Sequence, residues 1–254
     1  MTAAHTLVSF ECNICDADNS CDPRHIGRED ASCSRCGSSV RLRSIVDLVA
    51  RAVLGESLPL SQFPIRTDIF GLGLSDWSVY ARQLALRFSY VNTYYHTAPR
   101  LDITSVPDAL AGTMDFLVAT DVFEHVLPPV SLAFAGARKL LRSGGVFIFS
   151  VPFDDASDET VEHFPHLHEF HLQGDSCRGY VLHNRRQDGK EEVFGDLIFH
   201  GGPGSTLEMR VFSGNGLVKC FKDAGFSEVT FAEEVPRWGI YWPKPYSLPL
   251  VARV

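Results

Sequence analysis

The sequence has no run of about 20 apolar residues, the length a membrane-spanning helix needs, so no span is expected within its 254 residues. Its start, Met1 to Phe10, lacks both a basic stretch and an apolar segment of signal-peptide length, and a cytoplasmic location is expected. Positive charge is also short: 23 Lys and Arg stand against 31 Asp and Glu, a net charge of -8. A broad footprint on nucleic acid needs many cationic contacts to phosphate, so this balance argues against a nucleic-acid partner, though not against a local basic patch. Beyond residue 40 cysteine is nearly absent, with only Cys177 and Cys220. A disulfide framework belongs to small secreted chains and is not expected here. What remains is an ordinary globular composition, 45% hydrophobic and 21% charged, in a chain long enough to bury a core without cross-links.

The other five cysteines crowd the first 40 residues. Cys12-Asn-Ile-Cys15 and Cys33-Ser-Arg-Cys36 are two C-x2-C pairs separated by 17 residues. Each pair can present two thiolates on one side of a tight loop, and two such loops supply the four soft ligands of a tetrahedral zinc. Iron in a four-sulfur site is the lesser alternative. Four protein ligands leave no open position, so the metal is expected to be structural. Cys21 has no evident partner. From Val40 to Leu54 apolar residues recur at helical spacing up to Gly55, interleaved with Arg41, Arg43 and Arg51. A proline-bearing linker, Leu58 to Pro64, then leads into the rest of the chain.

The apolar run Ile65 to Phe70 reads as a strand, followed by a glycine turn, Gly71-Leu-Gly73-Leu-Ser75, and a helix through Tyr80 and Leu84. Further strands are read at Phe88 to Tyr94, Met114 to Thr120 and Val146 to Val151, with an amphipathic helix at Val130 to Leu141. This alternation predicts an α/β fold, a doubly wound and mostly parallel sheet with helices on both faces, whose ligands sit at the carboxyl ends of the strands.

The segment Asp121-Val-Phe-Glu124-His125-Val, followed by Leu140-Leu-Arg-Ser-Gly-Gly-Val-Phe-Ile-Phe-Ser-Val-Pro152, resembles the second half of a class I S-adenosylmethionine-dependent methyltransferase. The resemblance spans roughly residues 65–153 and resumes at 217–230. It implies a Rossmann-like methyltransferase fold with S-adenosylmethionine as cofactor. It places Asp68 at the end of the first strand, and Gly71 and Gly73 against the methionine moiety. Asp102 and Ile103 would lie beside the adenine, and Thr120, Asp121 and Phe123 would line the cofactor and the mouth of the substrate pocket. Two positions depart from the family pattern: Ser75 replaces the third glycine, and Asn92 to Tyr94 hold no acid for the ribose.

The expected division is a zinc-binding module and linking helix at 1–57 and a methyltransferase-like domain at 58–254, with a β-rich, substrate-side insertion at about 154–212. The insertion carries His163, His166, His168 and His171 within nine residues. Three readings stay open for them: a polar exposed face with His166 and His168 on one side of a strand, a second metal site, or general-base chemistry, for which His125, His163 and His166 are candidates. Asp188-Gly189 reads as a hairpin turn, and the glycine-rich 201–204 segment as an active-site lid or substrate loop. Arg210 could clamp an acidic group or pair near Glu208, and the aromatic tail from Trp238 could cover the pocket or pack a partner. The leading expectation is methyl transfer to a hydroxyl or amine of a small molecule such as a sugar or biosynthetic intermediate. The alternatives are an RNA methyltransferase gripping through Arg24, Arg28, Arg35, Arg41 and Arg43, or a non-catalytic scaffold on the same fold.

Overall fold

The computed structural model describes residues 7–154, 156–242 and 247–254; part of the expected aromatic tail, 243–246, lies outside them. The chain opens with an antiparallel hairpin of β1 (Val8–Glu11) and β2 (Asp18–Cys21). Helix α1 (Val40–Val49) follows, with the Ser39 hydroxyl accepting from the Leu42 N–H as its cap. It widens into a π-helical turn, Ala50–Leu54, and stops at Gly55, whose φ of 86° suits only a residue without a side chain.

The central α/β unit comprises β3 (Arg66–Leu74), α2 (Ser78–Arg87), β4 (Phe88–Thr93), β5 (Met114–Thr120), α3 (Ser131–Leu140) and β6 (Leu141–Ser150). The insertion is built from short strands: β7 (Phe153–Asp154), β8 (Val161–Glu162), β9 (Glu169–Asp175), β10 (Gly179–Arg185), β11 (Glu191–Phe194), β12 (Phe199–His200), β13 (Thr206–Leu207) and β14 (Arg210–Ser213). The chain closes with α4 (Gly214–Asp223), β15 (Glu228–Phe231) and β16 (Leu250–Arg253).

Six strands form the main sheet in the order β15-β16-β6-β5-β3-β4. Strands β4, β3, β5 and β6 run parallel, while β16 is antiparallel to both its neighbours. This is the doubly wound, mostly parallel sheet expected, with a late antiparallel strand inside it. Its strands are buried on both faces, and successive residues feed opposite cores. Leu72, Leu117, Phe147 and Phe149 pack with Phe134, Leu140, Leu217 and Phe221 from α3 and α4. Phe116, Val118, Ile148 and Val251 pack with Tyr80 and Leu84 of α2 and with Ile45, Val46 and Val49 of α1. The second cluster also contains Cys12, Ile14 and Cys33. The division expected at residue 57 therefore falls inside one contiguous core, and the cysteine module lies on a face of the sheet.

Two readings from the sequence change. Strand β3 does not end at Phe70 but runs through both glycines to Leu74, because they are spaces and not a turn. A Cβ on Gly71 would overlap the Phe116 ring, and one on Gly73 would overlap the Tyr90 hydroxyl and the Asp76 carboxylate. The histidines also redistribute: His166 and His168 precede β9 in a loop and do not share a strand face. The hairpin at Asp188-Gly189 joins β10 to β11 as expected, with Gly189 at a φ of 85°. Among the described residues, no helix is long and apolar enough to cross a membrane.

Candidate functional site

The two cysteine turns come together as their spacing implies. The Cys12 and Cys36 sulfurs lie 3.7 Å apart, the Cys15 and Cys33 sulfurs 3.6 Å, and all four within 4.8 Å of one another. Backbone bonds from Asp16 N–H to Cys12 C=O and from Gly37 N–H to Cys33 C=O close the two turns. Sulfurs around a tetrahedral zinc with bonds of about 2.3 Å would stand about 3.8 Å apart, so the cage fits that ion. None of the seven cysteines is in a disulfide.

At the carboxyl edge of the sheet, Asn92 explains why the expected acid is missing. Its Oδ1 accepts from the Asp76 N–H at 2.9 Å and its Nδ2 donates to the Asp76 C=O at 2.9 Å. A carboxylate could make only the first of these bonds. The turn it latches begins at Ser75, whose φ is 57°, and holds the Asp76 carboxylate out of solvent. Burial raises the Asp76 pKa to about 7, against the pull of hydrogen bonds from Tyr90 and Tyr80. No role for this aspartate was legible in the sequence.

The positions that the resemblance assigns to the cofactor separate. Asp68 is not at the strand's carboxyl end but near the start of β3, exposed and paired with Arg66 at 2.7 Å. Gly71 and Gly73 accommodate neighbouring side chains, as above. Phe123 is fully buried, with ring centroids 5.0 Å from both Phe134 and Phe149, so it lines a core and not a pocket. Ile103 is buried beneath α3. Asp102, Thr120 and Asp121 do lie past or at the carboxyl ends of strands. Asp102 Oδ1 accepts from the backbone and hydroxyl of Thr104. Asp121 takes a two-pronged ion pair from Arg28 at 2.8 and 3.0 Å, with Arg41 at 3.2 Å and the Ser150 hydroxyl at 2.9 Å. Burial opposes its ionisation, but the two guanidinium groups outweigh burial and hold its carboxyl below the usual range.

The same contacts dismantle the expected arginine grip. Arg28 and Arg41 are spent on Asp121 and Glu29, and Arg24 on Asp22. Arg43 is fully buried, donating to the carbonyls of Ser38, Trp238 and Gly239. Arg24 and Arg35 remain exposed, the first paired with Asp22 and the second donating to Cys15 C=O. Trp238 is buried against Ile26 and Val40, so this part of the tail packs on the cysteine module. Arg210 is also structural: it donates to Glu162 and to the Phe123 carbonyl, both at 2.6 Å.

Beyond the end of β5 the insertion folds over the Glu124-His125 turn, fastened by the Met209 N–H donating to the Glu124 carbonyl. His125 and His163, two of the three candidate bases, meet there with His200, Glu124 and Glu208. His163 Nε2 lies 3.0 Å from Glu208 Oε1, and His200 Nε2 lies 2.9 Å from Glu208 Oε2. His125 Nδ1 lies 2.9 Å from the Leu207 carbonyl, and its ring meets that of His200 edge-on at 4.6 Å. Burial lowers the His125 pKa, whereas burial and the Asp121 charge push that of Glu124 well up. His166, the third candidate, stands apart and lines an open cavity of about 590 Å³ with Pro128, Pro129 and Arg186. His200, Glu124 and Glu208 had no assigned role in the sequence, where Glu124 lies far from the other two and no spacing links them.

No family profile matches the chain, and no curated protein does. Among solved structures it is similar to a 1,6-didemethyltoxoflavin-N1-methyltransferase from Burkholderia thailandensis, at 14% identity over 83% of this chain and 77% of that one, with a TM-score of 0.43. It is similar to an amino pentose methyltransferase from Micromonospora echinaspora, at 13% identity over 85% and 92% of the two chains and a TM-score of 0.46. A putative Zn-dependent alcohol dehydrogenase from Rhodobacter sphaeroides is also similar, at 13% identity over 76% and 85% and a TM-score of 0.43. Likeness at this level assigns no activity.

Proposed function

We propose that the protein transfers a methyl group from S-adenosylmethionine to a hydroxyl or amine of a small molecule, such as a sugar or biosynthetic intermediate, in the cytoplasm. The observation that carries this reading is the convergence, past the carboxyl ends of β3, β4 and β5, of a tight turn, a carboxylate and a histidine cluster on a sheet of this topology. Ligands of open α/β sheets bind at that edge. The donor set there suits a nucleoside cofactor: the Ser75–Trp77 turn, the Asp102 carboxylate, and the exposed Tyr95 ring in the loop after β4. When bound, the cofactor supplies an electrophilic methyl group on sulfur.

The chain's own part is positioning and proton removal. His163 donates from Nε2 to the Glu208 carboxylate, which fixes its ring and leaves Nδ1 able to accept a proton from the acceptor. The four cysteines of the 1–57 module would hold zinc in a closed four-thiolate cage with no open position for chemistry, the module sharing its core with the methyltransferase-like part at 58–254.

Calorimetric titration with S-adenosylmethionine and S-adenosylhomocysteine tests the reading. Binding in the micromolar range is expected. No binding at millimolar cofactor would instead support a non-catalytic scaffold, the reading that the Asn92 latch and the Arg28–Asp121 pair favour. Once a substrate is in hand, His163→Ala should keep cofactor affinity while kcat falls by about 100-fold or more. Unchanged turnover would remove His163 from the mechanism.

A further inference from the structure

The strongest unexplained feature of the molecule is the Glu124 carboxylate. Its residue is wholly buried, and among the described residues neither side-chain oxygen has a hydrogen-bond partner. A carboxyl group in that position costs free energy unless it is neutralised or paired. The nearby cations do not serve, because Arg28 and Arg41 are committed to Asp121 and Glu29.

Two imidazole nitrogens face this carboxylate. His125 Nε2 lies 3.7 Å and His200 Nδ1 lies 3.9 Å from Glu124 Oε1. Their protonation follows from what the opposite ring nitrogens touch. The Leu207 carbonyl can only accept, so His125 Nδ1 carries the hydrogen and, in the neutral ring, Nε2 presents its lone pair. His200 Nε2 donates to Glu208, so Nδ1 presents its lone pair. With both rings neutral and the carboxyl ionised, as a bound cation would require, two lone pairs and a carboxylate converge, and the three ligand atoms lie within 4.8 Å of one another. Ligands on a tetrahedral ion with bonds of about 2.1 Å stand about 3.4 Å apart, so closing on a metal requires each nitrogen to approach the carboxylate by up to about 0.5 Å and the two nitrogens to approach each other by up to about 1.4 Å.

We infer that Glu124, His125 and His200 form a second metal site, for a divalent first-row transition ion that retains open coordination positions. Two imidazoles and one carboxylate suit zinc, iron(II), manganese or cobalt, and disfavour magnesium and calcium, which prefer all-oxygen sets. Leu207 C=O and Glu208 are the outer partners that set the tautomers and orient the rings. The site is chemically unlike the four-cysteine cage and does not depend on the methyl-transfer reading.

Cobalt(II) added to the full-length, zinc-loaded protein is the probe. After desalting, elemental analysis should find one zinc and one cobalt per chain. The visible spectrum should show d–d bands without the sulfur-to-cobalt charge transfer that exchange into the cysteine cage would produce. His200→Ala and Glu124→Gln should abolish stoichiometric cobalt while retaining zinc and the circular-dichroism spectrum, and Glu208→Gln should weaken binding by about ten- to a hundredfold. The surface His171–His183 pair, stacked at 5.0 Å across β9 and β10 with His183 half-buried, is the control for adventitious binding. Wild-type protein that retains no cobalt would overturn the inference. So would cobalt that is lost in His183→Ala, or retained in a folded His200→Ala or Glu124→Gln variant.

Discussion

Asp76 shows how much chemistry one side chain can hold without touching a ligand. Its folded pKa of about 7, against an ordinary 3.8, means that the native state binds a proton more readily than the unfolded chain. Its contribution is complete below the unfolded value and is lost as pH rises through about 7. Asp76→Asn removes this dependence. Thermal unfolding at pH 5 and pH 8 should therefore show the variant gaining on the parent protein at the higher pH; an equal difference at both would contradict the assigned environment. The sequence hid this residue because its partners, Tyr80, Tyr90 and Asn92, are ordinary in isolation and meet only when α2 and β4 pack beside β3.

Elements meet as closely as their smallest residues permit. Gly136 lies within α3, and a Cβ there would collide with the Ile103 carbonyl. Gly136→Ala should destabilise the protein by about 1–3 kcal/mol in urea unfolding, with an unchanged denaturant slope, because α3 would have to rise off the Asp102–Ile103 loop. The elements most legible in the sequence were β5 and α3, where a continuous apolar run and a helical period each had one sensible reading. Strand β3 was read short because glycines that make room for Phe116 and Tyr90 look, in sequence, like a turn. The same contrast separates the sites. The cysteine cage was legible because its ligands come in close-spaced pairs. The Glu124–His125–His200 cluster was not, because the β12–β13 hairpin and the Met209–Glu124 bond assemble it from distant segments.

At the scale of the molecule, the cysteine module and the sheet share apolar surface: Ile45, Val46 and Val49 lie in one cluster with Phe116, Ile148 and Val251. Removing the cage metal should therefore not unfold a small domain alone. Chelation under denaturing-grade conditions, or Cys33→Ser, should lower the single calorimetric transition by on the order of 10 °C. Emission should also shift to the red as buried Trp238 becomes hydrated. A separate low-temperature transition, with the main one unmoved, would show the module to be independent.

That shared surface also orders events during synthesis on the ribosome. The cysteine turns emerge early and can capture their ion at once, but the floor beneath α1 is finished only when β16 delivers Val251. Until then the surface against which Ile45, Val46 and Val49 pack, already holding Tyr80, Phe116 and Ile148, lacks its last strand.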